Sequence, residues 1–97
     1  MLFRSEAQLD GADLRLASAK GALLRMSRCA GALLSGVNFN DAVLQKADLR
    51  GADLRRSNLF GADLSRVRLD GDTQFDGALL TRARTWPRLT PEQQAAA

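Results

Sequence analysis

Gly51-Ala-Asp-Leu-Arg55 and Gly61-Ala-Asp-Leu-Ser65, preceded by Gly11-Ala-Asp-Leu-Arg15, belong to a five-residue repeat that runs through nearly the whole chain. With Ala as the first place of each unit, first places are small or β-branched and third places are large and apolar. All glycines occupy the fifth place. Such regularity predicts identical short units of backbone, stacked in rows.

The third places form the predicted core. Ala19 and Cys29 are its smaller members, and the register shifts by one residue after Asp72. Ala19 falls beside the large Phe39 if residues twenty apart are stacked, which predicts complementary packing. The large apolar third places are Leu9, Leu14, Leu24, Leu34, Phe39, Leu44, Leu49, Leu54, Leu59, Leu64, Leu69, Phe75 and Leu80.

A period of five distinguishes between folds. On an α-helix a step of five would spread the leucines around the cylinder, and in a continuous strand it would place successive leucines on opposite faces. The remaining arrangement is a chain that is extended over the first three places and turns a corner at the fourth and fifth. Glycine suits that corner because it adopts positive φ without a Cβ clash. We therefore predict an all-β solenoid with backbone hydrogen bonds between stacked coils.

The Ala-(Asp/Asn)-Leu-x-x pattern closely resembles the pentapeptide repeat proteins, over roughly residues 7–87. The resemblance implies a right-handed quadrilateral β-helix in which four units make one coil and the leucine or phenylalanine side chains stack along the axis. On that geometry the sixteen units of this chain make about four coils.

The ends of the repeat are predicted to differ. Residues 1–6 form a lead-in, residues 7–87 the β-helix, and residues 88–97 a C-terminal cap. Thr90-Pro-Glu-Gln93 is typical of a helix start, so a short capping helix is expected from Thr90 to Ala97, with Trp86 over the last coil.

Composition bears on the class of protein. The 97 residues fit one domain, and the chain has a single cysteine, no histidine and a formal net charge of +3. We expect no disulfide, no metal site, no cofactor, no small-molecule substrate and no enzymatic activity, since nothing is poised as nucleophile and base. The sequence shows neither a signal peptide nor a membrane span, so a soluble cytoplasmic protein, of bacterial type, is expected.

Exposed apolar residues are the candidate contact surface. Leu2 and Phe3 are the apolar cover of the N-terminal end, and Leu16, Leu23, Met26 and Val43 point outward from the first two coils. Ordinary scatter of surface apolar residues is the alternative. A stack of coils with an uncovered end exposes backbone groups, which favours a contact there with a second copy or an upstream domain.

Two functions follow. The first is a structural or protein-interaction module whose partner the sequence does not name. The alternative is a DNA-mimic or nucleic-acid effector, because quinolone-resistance members of the resembled family imitate DNA and bind DNA gyrase. An arginine cluster suggests nucleic-acid binding, but the interleaved aspartates argue against that role. The chain is short and basic, unlike the long acidic β-helices that imitate DNA, which argues against gyrase binding. The cluster comprises Arg50, Arg55, Arg56, Arg66, Arg68, Arg82, Arg84 and Arg88.

Overall fold

The computed structural model describes residues 5–85, and within them there is neither a helix nor a continuous strand. Regular structure consists of isolated parallel bridges, with one bridged residue in each five-residue unit. Leu2, Phe3, Trp86 and the expected helix within residues 88–97 lie outside the described residues.

The bridges show that the chain coils on itself every twenty residues. Each second place pairs with the second place twenty residues later, as Gln8 does with Arg28, until the spacing becomes twenty-one between Asp53 and Gln74. Four rows of bridges result, which define four sides. The rows are Gln8/Arg28/Asp48/Arg68, Asp13/Leu33/Asp53/Gln74, Ser18/Asn38/Asn58/Leu79 and Leu23/Val43/Asp63/Arg84.

Backbone hydrogen bonds join successive coils along every side. The N–H of Leu34 donates to the carbonyl of Asp53 at 2.8 Å, and that of Asp53 donates back to Ala32 at 2.9 Å. At the corner the N–H of Gly36 donates to Arg55 at 2.9 Å. An unpaired buried backbone group is costly, so this repeated pairing explains how the coils stay stacked although the chain has no long strands.

Each described corner, except the one at Gly71, is a β-turn with positive φ at the fifth place. The N–H of Ala52 donates to the carbonyl of Leu49 at 3.0 Å, and Gly51 between them has φ +68°. A positive φ at the third residue of a hydrogen-bonded turn is the mark of type II. Several corners adopt the same conformation without glycine. These fifth places are Glu6, Leu16, Met26, Asp41, Lys46, Arg56, Arg66 and Arg82.

The spacing of the bridges changes from twenty to twenty-one residues at the turn formed by residues 70–73, and this turn differs from the other corners. Thr73 N–H donates to the carbonyl of Asp70 at 3.3 Å, and Gly71 within this turn is outside the positive-φ region. The Asp70 carboxylate accepts from Gly51 N–H at 2.9 Å, where the other corners use a carbonyl. Thr73 Oγ1 donates to the carbonyl of Leu49 at 2.8 Å. Side-chain oxygens of Asp70 and Thr73 therefore complete the hydrogen bonding between coils where the additional residue, Asp72, interrupts the repeat.

The core is a continuous apolar column inside the four sides. The predicted core residues from Leu24 to Leu64, and Phe75, are at most 2% exposed, whereas those nearest the two ends of the described stack are partly buried. Ala19 and Phe39 both lie in this cluster. The partly buried members of the core are Ala7, Leu9, Leu14, Val67, Leu69, Leu80 and Ala83.

Candidate functional site

Exposed apolar side chains gather on one side of the solenoid. Leu23 is 56% exposed and Met26 41%, and half-buried Val43 is bridged to Leu23 from the next coil. We call these three residues the apolar wall. Leu16 is 84% exposed but lies on a different corner. Four of the predicted contact residues are thus described, three of them together; Leu2 and Phe3 lie outside the described residues.

Leu16 borders an open groove elsewhere on the molecule. Its space of roughly 600 Å³ is lined by Leu16, Ser35, Gly36, Arg55, Arg56 and Asp76. The groove contains both signs of charge and one apolar residue. It therefore lacks the convergent polar groups on an apolar base that are typical of small-molecule sites.

Exposed Leu79 and Leu33 lie on two of the other three sides. They are 46% and 37% exposed, and neither is bridged to an exposed apolar neighbour. Leu79 was not among the residues predicted for contact. Single exposed apolar residues are common on soluble proteins, so these two do not extend the apolar wall.

The second-place aspartates and asparagines have a structural role that the sequence analysis missed. Their side-chain oxygens accept the N–H two residues later, for example Asn38 from Asn40 at 3.0 Å and Asp53 from Arg55 at 3.1 Å. This Asx interaction fixes the start of the corner that follows each of these aspartates and asparagines. The signal in the sequence is the preference for Asp or Asn one residue before the core leucine.

Three of these aspartates also form bidentate ion pairs within their own unit. The guanidinium groups of Arg15, Arg50 and Arg55 approach the carboxylates of Asp13, Asp48 and Asp53 at 2.7, 2.7 and 2.8 Å. Hydrogen bonding from the partner arginine lowers the pKa of each carboxyl group below its ordinary value. The repeat thus neutralises three of its arginines on its own surface.

The described arginines of the cluster suggested for nucleic-acid binding do not form one surface, and Arg88 lies outside the described residues. Arg50 and Arg55 are ion-paired at different corners, and Arg82 lies over the Phe60 ring with 5.9 Å between its guanidinium carbon and the ring centroid. Arg82 thereby covers the half-buried Phe60.

A different grouping of cations, which includes Arg66 and Arg68 from that cluster, lies at one corner and on the side that follows it, and it borders the apolar wall. The corner that follows the Leu23/Val43 side carries Arg25, Lys46 and Arg66. The side after that corner carries Arg28 and Arg68, which lie in one bridge row with Asp48 between them. All five are exposed, and no ion pair among residues 5–85 engages any of them. We call these five residues the basic corner.

The single thiol is enclosed. Cys29 is 1% exposed and its Sγ lies 3.5 Å from Ser27 Oγ. Burial raises the pKa of the Cys29 thiol, which keeps it protonated and unreactive. Within residues 5–85 no group of His, Cys, Asp and Glu side chains is arranged to hold a metal ion. The same part of the chain has no helix with the length and apolar character needed to cross a membrane.

The N-terminal edge of the stack has unpaired backbone groups among the described residues. None of these residues accepts a hydrogen bond from the N–H of Asp13 or Ser18, whereas Leu33 and Asn38, one coil later, donate to Ala12 and Ala17. Such an edge is able to pair with further backbone.

Comparison with known proteins agrees with this architecture. The family model of pentapeptide repeats matches residues 5–41 and 38–71, in eight copies. No curated protein matches the chain at a significant level.

Solved structures are similar over most of the chain. HetL, a pentapeptide repeat protein involved in heterocyst differentiation regulation in the cyanobacterium Nostoc sp. strain PCC 7120, is 32% identical with a TM-score of 0.65. The match covers 82% of this chain but 37% of HetL, so the chain spans little more than a third of that protein. A pentapeptide repeat protein from the Arabidopsis thaliana thylakoid lumen is 30% identical with a TM-score of 0.55, over 95% of this chain and 72% of that one.

Proposed function

We propose that this chain, which belongs to the pentapeptide repeat family, is a non-enzymatic structural and protein-interaction module. The observation that carries the proposal is the apolar wall on a rigid frame: Leu23 is 56% and Met26 41% exposed, beside a core whose central residues are at most 2% exposed. When a partner covers exposed apolar side chains, their removal from water stabilises the complex.

The shape we propose for the module is a right-handed quadrilateral β-helix of about four coils, closed at its C-terminal end by the short helix expected within residues 88–97. We further propose that it works in the cytoplasm of a bacterium. The bridge spacing of twenty residues, as between Leu23 and Val43, supports four five-residue units per coil.

The second contact we propose is the N-terminal edge. The N–H groups of Asp13 and Ser18 have no acceptor among the described residues, and core residues Leu9 and Leu14 beside them are only partly buried. A second copy, or another domain with a strand edge, would supply both the missing acceptors and apolar cover.

Light scattering and amide exchange test the edge contact on the same sample. We expect the mass to rise with protein concentration between about 5 and 500 μM, and the Asp13 and Ser18 amides to exchange more slowly as it rises. A monomer at every concentration, with these two amides already protected when dilute, would contradict the proposal. Leu33 and Asn38, whose N–H groups are bonded, provide the reference amides.

A further inference from the structure

We propose that the basic corner and the apolar wall form one binding surface for an acidic protein segment that also carries apolar side chains. The inference rests on the proposed function, because it names a partner class for the same exposed wall. Its two halves are adjacent. The wall ends at Met26, and Arg25 beside it donates to Met26 Sδ at 3.5 Å.

The register of the coils brings the two halves together. Met26 N–H donates to the carbonyl of Gln45, and Lys46 N–H donates to that of Ser65, so Met26, Lys46 and Arg66 follow one another up a single corner. Bridged neighbours in adjacent strands lie about 4.8 Å apart. A segment of extended chain a few residues long can therefore reach apolar and cationic side chains together.

The balance of charge on this surface is positive. The basic corner contributes five cations, and the carboxylates on the same corner and sides are Glu6, Asp48 and Asp63. Asp48 is occupied by Arg50 at 2.7 Å, and Asp63 accepts Ser65 Oγ and is bridged to Arg84 through the backbone. An acidic ligand therefore meets cations that the fold itself leaves without carboxylate partners.

The cations of the basic corner differ from the ion-paired arginines in that no carboxylate of their own unit pairs with them. Arg50 and Arg55 each have an aspartate two residues earlier in the same unit, at ion-pair distance. Lys46 and Arg66 are fifth-place residues whose second places are Val43 and Asp63, and neither is engaged in an ion pair among the described residues. Lys20, Arg56, Arg82 and Arg84 are also without an ion pair among residues 5–85, but the five cations of the basic corner are the ones grouped beside the apolar wall.

The apolar wall favours a protein over a nucleic acid. Binding to the phosphate backbone depends on cations, so it makes no use of the apolar Leu23 and Val43 at one end of this surface, and it is opposed by Asp63 among the cations. A second copy is less well matched. The acidic corner it could offer contains Asp10 and Asp70, whose carboxylates already accept the N–H groups of Ala30 and Gly51.

The test is a titration with a defined peptide. A fluorescein-labelled peptide of about twelve residues, composed of Asp, Glu and Leu, is added to the full chain and followed by anisotropy and by amide chemical shifts. We expect saturable binding with shifts at Leu23, Met26 and Lys46. The variant Lys46→Glu/Arg66→Glu should lower the affinity at least about tenfold, and Leu23→Ser/Met26→Ser by about tenfold.

Matched variants on other corners are the controls. Lys20→Glu/Arg56→Glu reverses two exposed charges elsewhere, and Leu79→Ser removes an apolar side chain that is 46% exposed; both should bind as the unaltered chain does. Equal loss in control and test variants, no binding, or a peptide displaced by a short DNA duplex that binds more tightly would each overturn the inference. Amide spectra confirm that every variant is folded.

The outcome separates this inference from the proposed function. Concentration-dependent mass and slower exchange at Asp13 and Ser18 report on the N-terminal edge, which the peptide does not use. If those changes occur and the peptide fails to bind, the inference is overturned and the interaction module stands. If both fail, both proposals are overturned.

Discussion

The fifth place of each unit requires a left-handed backbone, and the sequence supplies it in two ways. Gly31 has φ +66° with nothing within 4 Å of an added Cβ, whereas Lys46 and Arg66 adopt φ +61° and +58° despite their side chains. A left-handed residue other than glycine costs about 1–2 kcal/mol. The fold tolerates this cost at several corners because the inter-coil hydrogen bonds fix the turn.

Gly31→Ala should be destabilising, whereas Gly71→Ala should not. Both positions have open space around an added Cβ, but only Gly31 has positive φ. Urea denaturation followed by circular dichroism should show Gly31→Ala destabilised by about 1 kcal/mol. Gly71→Ala should be neutral or stabilised by up to about 1 kcal/mol, because alanine reduces the entropy of the unfolded chain. Equal destabilisation by both would contradict the turn geometry described for residues 70–73.

Asp53 combines a turn cap with an ion pair, and substitutions can separate them. The Arg55 guanidinium lowers the pKa of the Asp53 carboxyl group, so its contribution to stability is present above the ordinary value of 3.8 and is lost as the pH falls through the lowered value. Asp53→Asn keeps an oxygen for Arg55 N–H, so it should be less stable than the unaltered chain at pH 7 by less than about 1 kcal/mol. Its stability should also decrease less on acidification.

The corresponding alanine variants provide the control. Asp53→Ala should cost about 1 kcal/mol more than Asp53→Asn, because the Arg55 N–H loses its acceptor. Asn58→Ala, which removes an uncharged cap of Phe60 N–H at 3.0 Å, should show the cap loss with no change in acid sensitivity. Urea midpoints at several pH values measure both effects. Identical pH profiles for Asp53→Asn and the unaltered chain would show that the ion pair contributes nothing.

At the scale of the repeating unit, the small Ala19 is predicted to leave room for the large Phe39 on the next coil, and substitutions at these two positions test this. Ala19 is 1% and Phe39 2% exposed, and Ala19 N–H donates to Asn38 at 2.7 Å, which places the two centres on neighbouring coils. Ala19→Leu should overfill the column and cost about 1–3 kcal/mol.

The double variant Ala19→Leu/Phe39→Leu decides between coupled and independent sites. It should recover part of that loss, with a coupling free energy above about 0.5 kcal/mol in urea denaturation. Additive losses would show that the two side chains do not share space. Leu44→Ala, in a different column and 0% exposed, is the reference for simple loss of core volume.

The five-residue period predicted these units well because every core leucine obeys it, and the resemblance to pentapeptide repeats is confirmed by the family match. The hydrogen bonds that the Asp70 and Thr73 side chains make to the preceding coil could not be predicted from the sequence. It depends on which backbone groups the extra residue displaces, and Gly71 follows the repeat in sequence but not in φ. The basic corner could not be predicted for a related reason. Arg68 was expected to group with other arginines, but Arg28, Lys46 and Arg68 are far apart in the chain, and only the register of the coils makes them neighbours.

Over the whole molecule, each coil is bonded only to its neighbours, so stability should decrease from the middle of the described stack toward its ends. Leu44 and Leu49 are 0% exposed and donate their N–H groups at 2.8 Å, whereas Leu9, bonded equally well at 2.7 Å, is only partly buried. Similar hydrogen bonds with different burial allow the two contributions to be distinguished.

Native-state hydrogen exchange measures this gradient. The amides of Leu44 and Leu49 should exchange only through global unfolding, while those of Leu9 and Gly11 should exchange at least about tenfold faster through opening of the first coil, since fewer neighbours hold it. Asp13 and Ser18, unbonded among the described residues, set the fast limit in dilute protein. Low urea should accelerate Leu44 more steeply than Leu9, because global unfolding exposes more surface. Equal rates and equal urea dependence at Leu9 and Leu44 would show instead that the solenoid opens as a single cooperative unit.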